Sequence, residues 1–296
     1  MSGRGFTFPF RRAIRSRARR NVELRRLVMD LGRRDFERRH PGTSFGPVLV
    51  LLASYLEADN IKFVLKALPV EVGSLAVSAL VVVDGDDDGT EDIVAGAGLM
   101  CAVLPVHMGQ GVALRVGYEL AATHGARYVV TIDADGQDDP SAIPEHLAPI
   151  LRDEADVVIG SRRLGVDFEL HGDETTDKVR RLGVKVFAWV ISQAIGHQVT
   201  DTTNGLRAFK IEVLDDLTLE QDQYQTAEVI ISAAARGWRI AEVPIVRHPR
   251  AFGESRKIPG GTSGVRELRL FLGANVLFGL QYARVIARTW WRERRH

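Results

Sequence analysis

The chain has 296 residues, 45% of them hydrophobic, and a formal net charge of +1 at pH 7. This composition excludes a disordered chain and predicts a globular core. The near-neutral charge hides an asymmetry, because residues 1–40 carry thirteen arginines against four acidic residues. No uncharged apolar run reaches the roughly 18 residues that a membrane span needs. The Arg-rich start also lacks the apolar core of a secretory signal. We therefore expect a soluble or peripherally membrane-associated protein.

A single cysteine, Cys101, lies in the apolar run LMCAVL. One cysteine can form neither a disulfide framework nor a cysteine metal site, which favours a reducing compartment. Free cysteine in such a run is expected in the core. The eight histidines show no ligand spacing, which argues against a structural zinc site.

The Arg-rich start can form a helix with a partial apolar stripe. The members of the stripe are Ile14, Val22, Leu24, Leu27, Val28 and Leu31. Basic amphipathic helices are typical of membrane surfaces. The alternatives are a solvated tail and a nucleic-acid-binding arm, although no aromatic or fold signature supports nucleic acid as a partner. We separate residues 1–44 as an Arg-rich N-terminal extension.

From residue 47 onward, short apolar runs alternate with amphipathic stretches, a pattern typical of parallel strands covered by helices. Strands are predicted in PVLVLLAS, LAVSALVVVD, LMCAVLP, ARYVVTID and ADVVIGS. Helices are predicted in EADNIKFVLKAL, in GQGVALRVGYELAATHG and around residues 143–151. Ligands bind such sheets beyond the carboxyl ends of the strands. We therefore expect the chemistry in residues 54–57, 84–88, 133–139 and 161–163.

The alternation weakens in the second half of the chain. Helices are predicted in KVRRLGVKVFAWVISQAIG and YQTAEVIISAAARG, and a strand in WRIAEVPIVR. A basic loop punctuated by Gly and Pro, HPRAFGESRKIPGGTSG, follows that strand. The last segment alternates bulky apolar residues with Arg and ends in Trp290 and Trp291 beside a basic cluster. Trp beside Arg is typical of an interfacial helix; packing against the sheet or a dimer partner is the alternative.

The motif DADGQDDP follows the fourth predicted strand. Residues i and i+2 of an extended chain face the same side, so Asp133 and Asp135 can face one site. Two carboxylates so close repel each other unless a cation lies beside them. Their hard oxygen atoms suit Mg²⁺ or Mn²⁺, with substrate phosphates completing the shell, and Gln137 can reach the same ion. An acidic turn that caps the helix after Pro140 is the alternative.

This motif, with VVVDGDDDGT before it and VIGSRR after it, resembles the dolichyl- and polyprenyl-phosphate sugar synthases, a group that includes dolichol-phosphate mannosyltransferases. These are family-two glycosyltransferases. Further matches are DTTNGLRAFK, TAEVIISAAARGWRIAEVPI and RAFGESRK, so that the resemblance extends from about residue 48 to residue 257. It implies an α/β protein of the GT-A fold, a Rossmann-like mixed sheet flanked by helices, over residues 45–262. An amphipathic helical C-terminal extension, residues 263–296, completes the chain.

The resemblance also implies an activity. A metal-dependent inverting glycosyltransferase of this kind moves a hexose, mannose or glucose, from a GDP- or UDP-sugar to polyprenyl phosphate. The expected location is cytoplasmic, peripheral on the inner face of the membrane, and a homo-oligomer stays open. The alternatives are a family-two transferase with a soluble or glycan acceptor and an inactive nucleotide-sugar-binding homologue.

Residue roles are carried over from the family motifs. Nucleotide-sugar contacts are implied for Ala53, Tyr55, Glu57, Val82, Asp84, Asp133, Ala134, Asp135, Arg250 and Arg256. Metal ligands are implied for Asp133, Asp135 and Gln137, and acceptor-phosphate contacts for Arg162 and Arg180. The catalytic set is Asp135, Arg162, Arg250 and Arg256, in which the arginines of the basic loop stabilise charge that develops on the leaving diphosphate.

Several charged residues keep structural alternatives. Arg162 can pair with a surface acid, and Asp201 can pair with Arg207 in a structural turn. Glu228 falls within a predicted helix among apolar residues, where a charge is costly unless paired. We expect it to be the buried partner of a basic residue near the acceptor site.

The chain departs from the family pattern in the nucleotide motifs. Ala53 and Leu56 replace Pro and Asn in the first motif, and Val83 replaces the first Asp of the second. The Asn that usually precedes the glycine pair is replaced around His107. These departures affect the nucleotide pocket more than the metal site and predict an altered donor or weak activity.

Overall fold

The computed structural model describes residues 22–85, 88–164, 174–250, 252 and 265–295; within these ranges, the side chains of residues 174–182, 184 and 265–278 are left undescribed. The strands are β1 Val48–Ser54, β2 Glu71–Val72, β3 Leu75–Val83, β4 Met100–Val103, β5 Tyr128–Thr131, β6 Val157–Ser161, β7 Arg207–Lys210 and β8 Ile240–Pro244. The helices are α1 Val22–Arg39, α2 Ala58–Ala67, α3 Thr90–Gly96, α4 Gln110–Thr123, α5 Ile143–Leu151, α6 Glu174–Ile195, α7 Ile211–Asp216, α8 Gln225–Ala235 and α9 Val265–Glu293. A 3₁₀ turn at Pro140–Ala142 precedes α5.

The strands form one mixed sheet in the order β2-β3-β1-β5-β7-β6-β8, with β4 paired to β3. β1 is parallel to β3 and β5, and β6 is parallel to β8. β7 is antiparallel to both of its neighbours, β5 and β6. The strand pattern had predicted only parallel strands. It missed β7 because this strand has four residues, begins with a buried arginine and runs directly into α7.

Two hydrophobic layers enclose the sheet. Successive strand residues point to opposite faces, so Leu49 and Leu51 of β1 face one layer, while Val48, Val50 and Leu52 face the other. The first layer contains α1, α4, α8 and α9, and the second contains α2 and α5. These buried strands explain the continuous apolar runs of the sequence. Cys101 is a buried free cysteine, as predicted.

Helix α1 belongs to the body of the domain. Its residues Val28 and Phe36 are buried in the core. Asp35 Oδ2 accepts the backbone N–H of Val103 at 2.9 Å, and two residues along β4 the Cys101 N–H donates to His40 Nε2 at 3.0 Å. Side chains of the helix and the turn after it therefore satisfy strand-edge donors that would otherwise be open to pairing.

The predicted apolar stripe of the N-terminal helix is split between core and surface. Val28 is buried and Leu24 packs partly against the core. Val22, Leu27 and Leu31 are exposed, and Ile14 lies outside the described residues. The sequence pattern did not separate these two sets because the covered edge of β4, which decides the buried face, is distant in sequence.

Helix α9 packs against the domain through Tyr282, Val285 and Ile286. The last segment was predicted either to lie at a membrane interface or to pack against the sheet or a dimer partner. These three residues pack against the folded domain, while Trp291 is 59% exposed. None of the helices within the described ranges is both long and apolar enough to cross a membrane.

Glu228 ties α9 to α8. It accepts a hydrogen bond from Arg292 Nη1 at 3.0 Å and from the backbone N–H groups of Glu220 and Gln221, each at 2.9 Å. Burial raises the pKa of its carboxyl group above the usual range, although these donors oppose the shift. The expectation that Glu228 is buried and paired with a basic residue is confirmed, and because the partner Arg292 belongs to the C-terminal helix, Glu228 anchors that helix.

Candidate functional site

The predicted site residues gather at the carboxyl ends of the parallel strands. Glu57 follows β1, Asp84 follows β3 and Asp135 follows β5, while Arg162 follows β6. Because neighbouring parallel strands end at the same edge of a sheet, these side chains approach one another across the edge. Arg250, which follows β8 along the chain, reaches into the same region.

Asp133 lies against the segment that leads into β7. Its Oδ1 atom accepts a hydrogen bond from Gln110 Nε2 at 2.8 Å. A β-carbon built on Gly205 would lie 2.3 Å from Asp133 Oδ1, so the glycine leaves the space that the carboxylate fills. Thr131 Oγ1 donates to the Gly205 carbonyl oxygen at 2.7 Å and holds the glycine in place.

Two arginines lie beside Asp135. Its Oδ2 atom is 3.3 Å from Arg250 Nη2 and 3.7 Å from Arg247 Nη2. Its Oδ1 atom accepts the backbone N–H of Gln137 at 3.1 Å, which closes the turn after β5. Guanidinium groups therefore supply positive charge beside a carboxylate that was predicted to bind a metal ion.

Gln137 joins this turn to the segment after β8. Its side-chain oxygen accepts from Arg247 Nη2 at 2.7 Å, and its side-chain amide donates to the His248 carbonyl oxygen at 3.3 Å. Metal ligation by Gln137 would use the same oxygen atom that accepts from Arg247.

Two protein carboxylates would leave most of the shell of a divalent ion to other ligands. No group of three or more His, Cys, Asp or Glu side chains with the arrangement of a metal site occurs among the described residues. Asp133 and Asp135 nevertheless fit an ion such as Mg²⁺, which takes one or two protein carboxylates and completes its shell with substrate phosphates. Their carboxylate oxygens are hard ligands of the kind that such an ion prefers.

Asp138 is a buried carboxyl group behind this pair. Asn204 Nδ2 donates to its Oδ1 atom at 3.2 Å, while Oδ2 has no hydrogen-bond partner among the described residues. Burial raises the pKa of Asp138 to about 6, and the charges of Asp133 and Asp135 add to the rise, against the opposing effect of Arg247. Asp138 was not predicted as a site residue. The only feature of the sequence that could have indicated it is the second acidic pair of the motif, Asp138 and Asp139 before Pro140.

Arg250 links the first motif, residues 53–57, to the acidic residues after β5, 133–139, which we call the acid turn. Its Nη2 atom donates to Glu57 Oε1 at 2.7 Å and lies 3.3 Å from Asp135 Oδ2. Both carboxylates are largely shielded from solvent. One guanidinium group therefore bridges two residues that the family resemblance places at the nucleotide sugar.

The residues implied for the nucleotide lie together at the ends of β1 and β3. Ala53 and Val82 are paired across the two strands. Asp84 accepts the backbone N–H groups of Met108 at 2.7 Å and Gly109 at 2.8 Å. Asp84 thus shapes the following loop through both of its oxygens.

His107 completes this corner of the site. Its Nδ1 atom lies 2.8 Å from Asp84 Oδ2. Its ring stacks on Tyr55 with 3.7 Å between ring centroids and an interplanar angle of 21°. The family departure at His107 therefore changes a side chain that touches both Tyr55 and Asp84, two of the residues implied for the nucleotide.

Arg162 and Asp201 form a buried two-point ion pair. Arg162 Nε donates to Asp201 Oδ2 at 2.6 Å, and Nη2 donates to Oδ1 at 2.9 Å. Nη2 also donates to Thr203 Oγ1 at 2.5 Å. Burial alone would raise the pKa of Asp201, but the hydrogen bonds and the charge of Arg162 outweigh it and hold this pKa below its usual value.

This pair corrects two structural alternatives. Asp201 pairs with Arg162 and not with Arg207, whose Nε atom instead donates weakly to the Gly205 carbonyl oxygen at 3.4 Å. Arg162 is held by a buried acid and not by a surface acid. The pairing was not predicted because the two residues are 39 positions apart.

A cavity of about 580 Å³ lies next to this pair. It opens to solvent and is bordered by α6, the loop before Asp201 and the turn after β6. The lining residues include Arg163, Lys185, Trp189, His197 and Thr200. Of the arginines implied for the acceptor and the basic loop, the side chain of Arg180 and the whole of Arg256 lie outside the described residues.

A mixed sheet with acidic motifs at the strand ends, facing arginines from a later loop, defines a nucleotide-sugar transferase of the GT-A class. The glycosyl transferase family 2 profile matches residues 49–218, and the chain belongs to that family. The resemblance noted in the sequence is therefore confirmed, as is the expectation of a glycosyltransferase.

Named relatives act on lipid carriers. The chain is 33% identical over 216 residues to a dolichyl-phosphate hexose transferase of Haloferax volcanii, which covers 73% of this chain and 89% of the relative. It is 30% identical over 229 residues to an undecaprenyl-phosphate mannosyltransferase of Micrococcus luteus, which again covers 73% of this chain and 89% of the relative.

A solved structure supports the fold. Glucosyl-3-phosphoglycerate synthase of Mycobacterium tuberculosis, in complex with Mn²⁺, UDP-glucose and phosphoglyceric acid, matches with a TM-score of 0.59 at 20% identity. The match covers 87% of this chain and 83% of that one. The same enzyme has been crystallised with Mg²⁺ and UDP. These likenesses confirm the GT-A fold.

Proposed function

We propose that the protein transfers a hexose from a GDP- or UDP-sugar to polyprenyl phosphate, with inversion at the anomeric carbon and with Mg²⁺ or Mn²⁺ as cofactor. The observation that carries this proposal is the bridge from Arg250 to Glu57 and Asp135, at 2.7 and 3.3 Å. It joins the first motif, the acid turn and the basic loop at one point. A nucleoside diphosphate needs this combination of positive charge and metal-binding carboxylates.

On the donor side, the arginines stabilise the leaving group. Negative charge grows on the terminal phosphate of the nucleoside diphosphate as the sugar bond breaks, and fixed positive groups at that place lower the barrier. We assign this role to Arg250, together with Arg256 of the same loop. A bound divalent ion, held by Asp133 and Asp135 with Gln137, would add further positive charge to the diphosphate.

On the acceptor side, the problem is positioning. A phosphate monoester is already ionised at neutral pH, so the attacking oxygen needs no general base. It must instead be held in line with the sugar against repulsion from the donor. We assign this task to Arg162, with Arg180 beside it. Asp201 and Thr203 hold the Arg162 guanidinium group through Nε and Nη2, so an acceptor oxygen would be bound through Nη1.

For an enzyme with a lipid acceptor, we propose a peripheral location on the inner face of the membrane. Large apolar side chains on the surface support this location: Val186 and Trp189 of α6 and Leu280 of α9 are exposed. Lys185 lies beside the first two. Aromatic and basic side chains together suit the headgroup layer. The names of the two relatives described above also support a lipid phosphate as the acceptor.

A soluble phosphorylated acceptor is the second candidate. The cavity of about 580 Å³ beside the turn after β6 is lined by Arg163, Lys185 and His197, and none of its lining residues within the described part of the chain is acidic. A small anionic molecule would be held there by charge alone, without a membrane.

The test is release of nucleoside diphosphate from a panel of GDP- and UDP-hexoses with Mn²⁺. Each donor is supplied alone, with a short-chain polyprenyl phosphate in detergent, or with phosphoglycerate. Release that requires the lipid supports the proposal and names the donor. Release that requires phosphoglycerate supports the soluble acceptor instead. Donor binding without release under any condition contradicts both transferase proposals.

A further inference from the structure

Asn60, a buried residue of α2, contacts the basic loop. Its side-chain oxygen accepts the backbone N–H of Phe252 at 3.1 Å. Its side-chain nitrogen donates to the backbone carbonyl oxygen of Phe252, also at 3.1 Å. Both polar groups of one loop residue are therefore paired with one amide, although the two residues are 192 positions apart.

The same amide also contacts the carboxylate that holds Arg250. Asn60 Nδ2 donates to Glu57 Oε2 at 2.8 Å, while Glu57 Oε1 accepts from Arg250 at 2.7 Å. Asn60 thus fixes Phe252 directly. It also contacts Glu57, the carboxylate that binds Arg250, and Arg250 lies two residues before Phe252 in the chain. The loop is held at its backbone and at its functional side chain by groups within one turn of α2.

An aromatic contact on the surface covers this junction. The rings of Phe63 and Phe252 are stacked with 5.8 Å between centroids and an interplanar angle of 13°. Lys62 Nζ lies 5.4 Å from one centroid and 5.6 Å from the other. This stack adds apolar contact above the amide, but the rings themselves are about half exposed.

We propose that Asn60 is a positioning residue that holds Arg250 over the diphosphate site through the backbone of Phe252. This inference rests on the proposed function, because it assigns to Asn60 the placement of a group that acts on the donor. A primary amide offers a donor and an acceptor in one plane, which matches the two backbone groups of Phe252. Neither a carboxylate nor an apolar side chain of the same size can make both bonds and also donate to Glu57.

The experiment compares Asn60→Ala with two control variants of the full-length protein. Asp59→Ala changes the exposed neighbour on the same turn of α2. Phe252→Ala removes the aromatic ring and keeps both backbone groups. Hydrogen exchange of the residue 252 amide is measured without any ligand, and kcat and the donor KM are then measured with Mn²⁺ and the best donor and acceptor pair.

Asn60→Ala is expected to speed exchange of the residue 252 amide at least ~10-fold, since that N–H loses its acceptor. In Asp59→Ala and Phe252→Ala, the residue 252 amide is expected to exchange about as slowly as in the wild-type protein. Turnover of Asn60→Ala falls about 10-fold with less than about a threefold change in donor KM, because a mispositioned group acts mainly in the transition state. A residue that merely stabilised α2 would instead lower kcat and the melting temperature together, without selective exchange at residue 252.

Unchanged exchange in Asn60→Ala overturns the proposal whatever the activity proves to be. Faster exchange with unchanged kcat overturns the positioning role. A wild-type protein that turns over no donor contradicts the proposed function, and the exchange result, which needs no substrate, then decides separately whether Asn60 holds the loop.

Discussion

Gly205 and Asp133 are in such close contact that a β-carbon on the glycine would lie 2.3 Å from the carboxylate oxygen Oδ1. Gly205→Ala therefore has to displace Asp133, since the other side of the glycine is held by the hydrogen bond from Thr131. We expect turnover to fall at least ~10²-fold, the cost of a misplaced group at a reacting centre. Steady-state nucleotide release measures this loss. Gly96→Ala is the control, because nothing lies within 4 Å of that position; equal effects of the two changes would contradict the assignment of Asp133.

Arg250 is expected to compete with a metal ion for Asp135. Its guanidinium group lies 3.3 Å from Asp135 Oδ2. Arg250→Gln removes this positive charge, so Mn²⁺ should bind the donor-free protein several-fold more tightly, while turnover falls ~10²-fold through loss of charge stabilisation. Titration calorimetry with Mn²⁺ alone measures the first effect. Weaker Mn²⁺ binding in the variant would contradict a cation site at Asp135.

Asp138 destabilises the fold at neutral and alkaline pH. Its pKa is raised to about 6, above the ordinary value of about 4 that it has in the unfolded chain. The folded state therefore holds the proton more tightly, and this contribution is fully present below pH 4 and is lost as pH rises through 6. Asp138→Asn removes the cost of ionisation. We expect it to raise the free energy of unfolding by about 1 kcal/mol more at pH 8 than at pH 5.

Denaturant unfolding at the two pH values, without added metal, measures this difference. Asp139→Asn is the matched control, because Asp139 is the neighbouring acid, is only partly buried and caps the 3₁₀ turn. A gain for Asp138→Asn that is the same at both pH values would contradict the raised pKa.

Arg162 is expected to act on the acceptor and not on the donor. Arg162→Lys keeps the positive charge beside Asp201 but loses the two-point geometry, since an ammonium group cannot donate from Nε and Nη2 at once. We expect kcat/KM for the acceptor to fall ~10-fold to 10²-fold, with the donor KM nearly unchanged. Initial rates over a matrix of both substrate concentrations separate the two. Arg152→Lys, at an exposed ion pair with Glu154, is the control, and a rise confined to the donor KM would remove Arg162 from the acceptor side.

Local patterns predicted most of the sheet and its helices. Helix α5 was expected around residues 143–151 and spans Ile143–Leu151, because its apolar spacing and the proline before it agree. Strands β1, β3 and β5 followed from buried apolar runs. β7 was not predicted because its antiparallel pairing with β5 and β6 depends on contacts that form only in the folded protein. Its four residues are also too few to show a strand periodicity.

The site was predictable where chemistry is local and not where it is distant. Asp133 and Asp135 were found from their own spacing and from the strand before them. The Arg162–Asp201 pair, the Asn60–Phe252 contact and the buried Asp138 depend on residues brought together by folding. Their sequence separation gives no signal that one chain alone can display. Charge balance predicted only that such acids need partners, not which partners.

We propose above all that the acid turn serves the transfer of a hexose to a lipid phosphate. The most direct measurement supplies a radiolabelled GDP- or UDP-hexose with Mn²⁺ and short-chain polyprenyl phosphate, and then identifies the organic-soluble product by mass and by anomeric configuration. We expect wild type to form a polyprenyl phosphate hexose of inverted configuration and Asp135→Ala to form none while keeping its fold by circular dichroism. Label that never enters the lipid, or equal product from Asp135→Ala, would contradict the claim.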